Sequence, residues 1–347
     1  MLITRRSMMA GVAGAAFLSV ASSPVAEADV YNGHDVSDKI LDLWLPNKSW
    51  VGLPLSDVMS VTGGKMQRFA NADMYYSSAA GASIITGKIK TAYDGAKGPS
   101  ALGLPIGVEA VSSTYSSRSQ ACLAGRIWYS SSDGAKAVPA SKTVRLKGAK
   151  NFRDVAGEGS GIAVDGGRMR RNMVYRTSAL GSISKMDRYI LQTLGIKTII
   201  ALSPASPPTI SGIARVRYGI SNPSSSTLAE KQRMYRGYVT NSSNRSSVGK
   251  TLKLIAQGQP VVFQCLRGWD RSGWVAAVLQ DLLGASSSDI RAEFLKSNSY
   301  NGPGVRREYL DAAVSQMKSS YGTVEKYVSA CGVDSATRAT LRKKLIV

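Results

Sequence analysis

The sequence predicts an α/β fold: a C-terminal part with a central, mainly parallel sheet flanked by helices, and a smaller β-rich region before it. Three observations carry this. Beyond residue 145, short β-branched runs alternate with stretches of helical periodicity, the pattern of a parallel sheet covered by helices. Between residues 31 and 139, a unit punctuated by Gly and Pro repeats with a period near fifty. Charge divides at the same place: residues 31–140 carry a net of +2 and residues 141–347 a net of +19, out of +21 for all 347 residues. That length allows two domains and a core of ordinary size.

The first element is an export signal over residues 1–28. Thr4-Arg5-Arg6-Ser7-Met8-Met9 precedes a weakly apolar Ala/Gly-rich run from Ala10 to Ala21, and Ala26-Glu27-Ala28 supplies a small-x-small cleavage site. Paired arginines before a modestly hydrophobic segment point to the twin-arginine route; an ordinary secretory signal is the alternative. The run is too short for a membrane span.

The repeats follow, over residues 31–139. Val51-Gly52-Leu53-Pro54 recurs as Leu102-Gly103-Leu104-Pro105, and Met74-Tyr75-Tyr76-Ser77-Ser78 recurs as Ile127-Trp128-Tyr129-Ser130-Ser131. Each unit joins a Gly/Pro turn to an aromatic strand and a Gly turn, which predicts short hairpins. The pair resembles the LGFP repeat of actinobacterial cell-wall proteins, and the resemblance implies a cell-wall polymer as ligand. The bland reading is a β-rich spacer.

The C-terminal domain, residues 145–347, joins the repeats around Val138 to Lys150. Strands are expected at Lys197–Ala201 and Pro260–Phe263, and helices at Lys185–Leu194, Val248–Gln257, Trp274–Leu283, Asp289–Lys296 and Arg306–Ser319. Ser203 to Ser226, rich in Pro and Ser, reads as a mobile loop or a lid.

The chemistry is concentrated in Gln264-Cys265-Leu266-Arg267-Gly268-Trp269-Asp270-Arg271-Ser272. A strand precedes Cys265 and a helix follows Arg271, so the seven residues between them span a strand-to-helix turn. There, backbone N–H groups converge and the helix N-terminus adds its positive end, which makes an anion cradle. A cysteine at its mouth is favoured as a thiolate by the helix end and by Arg271. A thiolate beneath a bound phosphate is a phosphatase nucleophile. Cys122 and Cys331 have Trp128 and Thr337 six positions on, so neither repeats the pattern.

Together with Asn151-Phe152-Arg153-Asp154-Val155-Ala156-Gly157, Val174-Tyr175-Arg176-Thr177-Ser178 and the tail from Val305 to Arg342, this loop resembles the atypical bacterial tyrosine/lipid phosphatase family. The family's loop reads His-Cys-x-x-Gly-Lys-Asp-Arg-Thr-Gly. Here Gln264 stands for the histidine, Trp269 for the lysine and Ser272 for the threonine, and the family's Asp-Leu-Arg segment is replaced by Ala201-Leu202-Ser203-Pro204. These departures bear on substrate class and rate more than on fold.

Cysteine-based ester cleavage assigns the roles. Cys265 attacks in line; the N–H groups of Leu266, Arg267, Gly268 and Trp269 and the planar fork of Arg271 hold the phosphoryl oxygens; Ser272 steadies the thiolate as leaving group. Asp270 matches the family's loop aspartate and is the candidate acid; its bland reading is a carboxylate paired with an arginine. Asp154 is the second choice for the acid and reads better as a tether between loops. No metal and no cofactor is expected: the one histidine, His34, lies far upstream as a surface residue, and three scattered cysteines give no zinc spacing.

The expected protein is therefore an exported, wall-associated phosphatase acting on phosphorylated protein or lipid, with a basic catalytic domain drawn to anionic surfaces. No nucleic-acid motif accompanies the charge. The alternative is a catalytically weak phospho-ligand-binding envelope protein.

Overall fold

The computed structural model describes residues 29–347; the expected export signal lies outside the described residues. A terminal hairpin, β1 (Asp29–Tyr31) and β2 (His34–Val36), leads into α1 (Asp38–Trp44) and α2 (Lys48–Val51). The first repeat then forms a four-stranded antiparallel meander, β3 (Met59–Val61), β4 (Gly64–Arg68), β5 (Ala72–Ser77) and β6 (Gly81–Thr86). The second copies the plan: α3 (Gly87–Gly95), α4 (Gly98–Leu102), and the meander β7 (Pro105–Ser112), β8 (Ser117–Cys122), β9 (Gly125–Ser130) and β10 (Gly134–Pro139). Each unit thus opens with short helices that the hairpin reading did not foresee.

The helices are there because each meander has two apolar faces. Met74 of β5 packs with Trp44 of α1, and its counterpart Ile127 of β9 packs with Tyr93 of α3. The opposite face of the first meander, marked by Tyr75, is also covered by α3, with the Tyr75 and Tyr93 rings edge-on at 5.5 Å. The same face of the second meander, marked by Trp128, needs a third cover. It receives one from the C-terminal half.

That half begins with β11 (Arg153–Asp154), a hairpin of β12 (Ala163–Val164) and β13 (Gly167–Arg168), then β14 (Val174–Thr177), α5 (Lys185–Thr193), β15 (Thr198–Ala201), β16 (Ala214–Arg217), α6 (Leu228–Thr240), α7 (Ser242–Ile255) and β17 (Val261–Gln264). The helices α8 (Asp270–Leu283), α9 (Ser287–Leu295), α10 (Ser297–Asn301), α11 (Arg307–Tyr321), α12 (Val324–Ala330) and α13 (Ser335–Leu345) complete it. The sheet order is β11-β14-β17-β15-β16, parallel throughout except for β11. This is the mainly parallel, helix-flanked sheet expected. β17 lies at its centre, with all four residues buried, and α8 behind it has twelve buried residues. A strand buried on both faces reads as a continuous apolar run, and Val261-Val262-Phe263 does.

One expectation changes. Ser203 to Ser226 is not loop throughout: Ala214–Arg217 pairs in parallel with β15, Thr198 opposite Ala214, as the edge strand. Its Arg215 and Arg217 hid it, and charge on an edge strand is a common guard against further pairing. The join around Val138 to Lys150 is itself packed into the core. Val144, Leu146 and Ala149 are buried with Tyr115 and Trp128 of the second repeat and Tyr189, Ile190 and Leu191 of α5 in one cluster. Trp128 Nε1 donates to Thr193 Oγ1 at 2.7 Å, and Tyr189 Oη donates to the Ala110 carbonyl at 3.1 Å. α5 covers the second meander where α3 covers the first. No described helix is long and apolar enough to cross a membrane.

Candidate active site

The cradle sits at the C-terminal edge of the sheet, where β17 gives way to α8. Cys265 follows directly on β17 and is 2% exposed. Asp270, Arg271 and Ser272 form the first turn of α8, whose N-cap residue Trp269 makes no side-chain cap. The positive end of the helix is therefore left toward the loop.

What shapes the loop is the treatment of its carbonyls. Asn151 Nδ2 donates to the carbonyls of Gly268 at 2.8 Å and Arg267 at 3.3 Å. Arg176 Nη2 donates to those of Gly268 at 2.8 Å and Trp269 at 3.1 Å. Asn301 Nδ2 adds a bond to Arg267 at 3.4 Å. The carbonyls are drawn to the outside of the turn, while the amides of Leu266, Arg267, Gly268 and Trp269 have no acceptor among the described residues. Gly268 makes the turn possible: its φ is +66°, and a Cβ there would meet the Thr177 carbonyl carbon and oxygen at 2.7 Å.

Behind the loop stands a buried ionic network that sequence reading did not find. Glu293 of α9 bonds Arg153 Nε and Arg176 Nη1, each at 2.7 Å. Arg153 also reaches the Glu293 carbonyl and Ser297 Oγ, both at 3.0 Å, and Asn151 Oδ1. Burial pushes the Glu293 carboxyl up, but the two arginine charges and their hydrogen bonds outweigh it and hold the group below its ordinary value. Burial, helped by Arg153 and opposed by Glu293, brings Arg176 down to about 10, which leaves it charged at neutral pH. Arg176 is thus anchored on one side by Glu293 and spends its other nitrogen on the loop. The available signal was an arginine inside the apolar strand Val174–Thr177, all of it buried.

The other candidate residues fall around Cys265. Arg271 is 8% exposed, and its Nε is buried without a partner. Ser272 is fully buried, its hydroxyl also unpartnered among the described residues. Leu266 is 65% exposed at the mouth. Arg267 lies over the Trp269 ring at 4.8 Å. Trp269 is inserted against Gly304, where an added Cβ would stand 1.9 Å from the indole. The aromatic at the lysine position is therefore a packing element that seats the turn before α11. Gln264 uses its amide on backbone: Oε1 accepts from Leu180 N at 2.9 Å, and Nε2 donates to the Ala205 carbonyl at 3.4 Å.

The two candidate acids separate. Asp154 accepts from the amides of Ala156 at 2.9 Å and Asn172 at 2.6 Å, so it tethers the turns on either side of β12 and β13. Burial pushes its carboxyl up to about 6 against those two bonds and Arg171. Among the described residues Asp270 has no arginine partner; Tyr235 Oη donates to its Oδ1 at 2.8 Å, and Lys231 Nζ stands 3.7 Å from its Oδ2. Burial pushes the thiols of Cys122 and Cys331 up to about 12 and 11, which leaves both as neutral thiols. His34, half-buried, pairs with Asp57 at 3.2 Å, away from the loop.

Residues 144–347, more than half of the chain, match the tyrosine phosphatase family, and residues 51–100 match the LGFP repeat. The chain is similar to the triple specificity protein phosphatase PtpB of Mycobacterium tuberculosis, 24% identical over 277 residues that span 58% of this chain and 98% of the relative. Among solved structures, it aligns with TpbA of P. aeruginosa at 15% identity and a TM-score of 0.31, covering 46% of this chain and 87% of that one. It also aligns with the core catalytic domain of the PP-IP phosphatase SIW14 of S. cerevisiae at 16% identity and a TM-score of 0.29, covering 51% and 96%.

Proposed function

The chain belongs to the tyrosine phosphatase family, and on that footing we propose that it is an exported, wall-retained enzyme that hydrolyses phosphomonoesters through a cysteinyl-phosphate intermediate. The observation that carries this is the loop after Cys265: its carbonyls are bound by Asn151 and Arg176, its amides have no acceptor among the described residues, and the buried Arg271 Nε has no partner among them. Such an array serves an anion whose charge shifts during reaction, because the donors are already aimed and need not reorganise.

In the first step the Cys265 thiolate attacks phosphorus. The phosphorus–ester oxygen bond breaks, and Asp270 gives its proton to the departing oxygen. In the second step water attacks the thiophosphate and Asp270 takes a proton back. The sulfur–phosphorus bond breaks, with the Ser272 hydroxyl steadying the released thiolate. Arg271 and the loop amides hold the three non-bridging oxygens throughout. The substrates that suit the site are phosphotyrosine and phosphoinositide-type esters. Retention at the wall rests on the two repeats, a kind of module associated with cell surfaces.

The test is phosphate release from an aryl phosphate by the chain from residue 29, beside Cys265→Ser and Asp270→Asn. Release lost in Cys265→Ser and depressed by about 10² or more in Asp270→Asn is expected. Binding of vanadate with no turnover on aryl or inositol phosphates would leave the phospho-ligand binder instead. For retention, the same chain should sediment with isolated wall material; full recovery in the supernatant would sink that part.

A further inference from the structure

α6 reaches the catalytic loop through two side chains one helical turn apart. Tyr235 Oη donates to Asp270 Oδ1 at 2.8 Å, and Lys231 Nζ faces Oδ2 at 3.7 Å. The two are not equivalent. Lys231 is a half-buried cation on a flexible stem, whereas Tyr235 is fully buried. Its ring is clamped by Tyr238 at 5.0 Å, Tyr309 of α11 at 5.8 Å and, edge-on, Phe294 of α9 at 6.2 Å. The phenol oxygen therefore occupies one place. Burial, and then the neighbouring carboxylate, push the Tyr235 phenol well above its ordinary range, so it remains a donor at any working pH.

We propose that Tyr235 is a positioning residue for Asp270: by occupying Oδ1 from a fixed point, it leaves Oδ2 as the oxygen that exchanges a proton with the ester. This rests on Asp270 being the acid. The argument is geometric. Asp270 stands at the first helical position of α8, with its side chain 14% exposed, and among the described residues no arginine pairs with it. A carboxyl with both oxygens free to rotate would present either to the leaving group, and misplacement of a catalytic group by about 1 Å costs on the order of 10²-fold in rate. A phenol is suited to the task where an ammonium is not: it offers one O–H in a defined direction and brings no charge.

The test uses the dependence of rate on leaving group, which a merely structural change does not move. Proton donation matters for a poor leaving group and hardly at all for a good one. Tyr235→Phe, Asp270→Asn and, as a control, Tyr238→Phe would each be measured on phosphoserine and on 2,4-dinitrophenyl phosphate. For Tyr235→Phe, kcat on phosphoserine is expected to fall by about 10- to 10²-fold, with turnover of dinitrophenyl phosphate near that of the parent protein. The latter also reports that the variant is folded. Tyr238→Phe removes a neighbouring buried phenol and should keep the parent's ratio of the two rates. Equal losses on both substrates, or no loss on either, would overturn the assignment of Tyr235. If Asp270→Asn itself shows no dependence on leaving group, the acid reading fails first, and that outcome is distinct.

Discussion

Glu293 is a single carboxylate holding two buried arginines, one of which holds the loop. Breaking a buried pair by removing one partner leaves uncompensated charge, at a cost of about 3–5 kcal/mol. Glu293→Gln should lose that much in denaturant unfolding, and activity with it. The pH dependence has a definite sign. Glu293 is depressed in the folded state, so its stabilisation is present above the ordinary glutamate value of about 4.3 and lost as pH falls below it. The variant should show a shallower loss of stability on acidification than the parent. Gly268→Ala tests the loop itself. With φ at +66° and a Cβ forced against the Thr177 carbonyl, it should lose activity by about 10²-fold or more and stability by about 1–3 kcal/mol. Wild-type turnover in that variant would refute the loop geometry. The reactive residues were legible because seven contiguous positions carry them. The network of Asn151, Arg153, Arg176 and Glu293 was not, since apart from the Asn151–Arg153 pair its partners lie 92 to 144 positions apart and no local pattern encodes such pairs.

At the level of elements, hydrophobic period located β15, β17 and α5 with ends off by a residue or so, because the two strands are apolar runs in the core and α5 buries one face. Other elements escaped, among them β14, β16, α6 and the short helices of the repeats. The edge strand β16 is mostly polar, and α6 was missed although Thr227 and Glu230 form a capping box at its start. The repeat was legible from the matched aromatic strands, but the reason for two copies was not. Leu104 is fully buried against the first meander, while its counterpart Leu53 is 53% exposed. The sequence alone could not say that α5 completes the series. Trp128→Ala, at the seam between the second meander and α5, should cost about 3–5 kcal/mol, a typical loss for a buried tryptophan. Chemical denaturation followed by fluorescence and by loss of activity should show one shifted transition. Unchanged stability would mean that the two halves do not share a core.

For the whole molecule, the domain that holds the proposed anion site carries a net charge of +19 over residues 141–347. Raising ionic strength shortens the reach of that field to a few ångströms, so KM for a phosphomonoester should rise between about 0.05 and 0.5 M salt while kcat holds. A kcat that falls in step would place the effect on the chemistry instead. The central strand β17 leads into one turn and the buried ionic network holds it, and the account stands or falls on what Cys265 does there. The most direct measurement is the intact mass of the protein quenched in acid during turnover of an aryl phosphate. One phosphoryl group is predicted on the chain, mapped to Cys265 and missing from Cys265→Ser. Steady turnover with no phosphoryl-enzyme at any quench time, or with the label on another residue, would contradict the cysteinyl-phosphate mechanism.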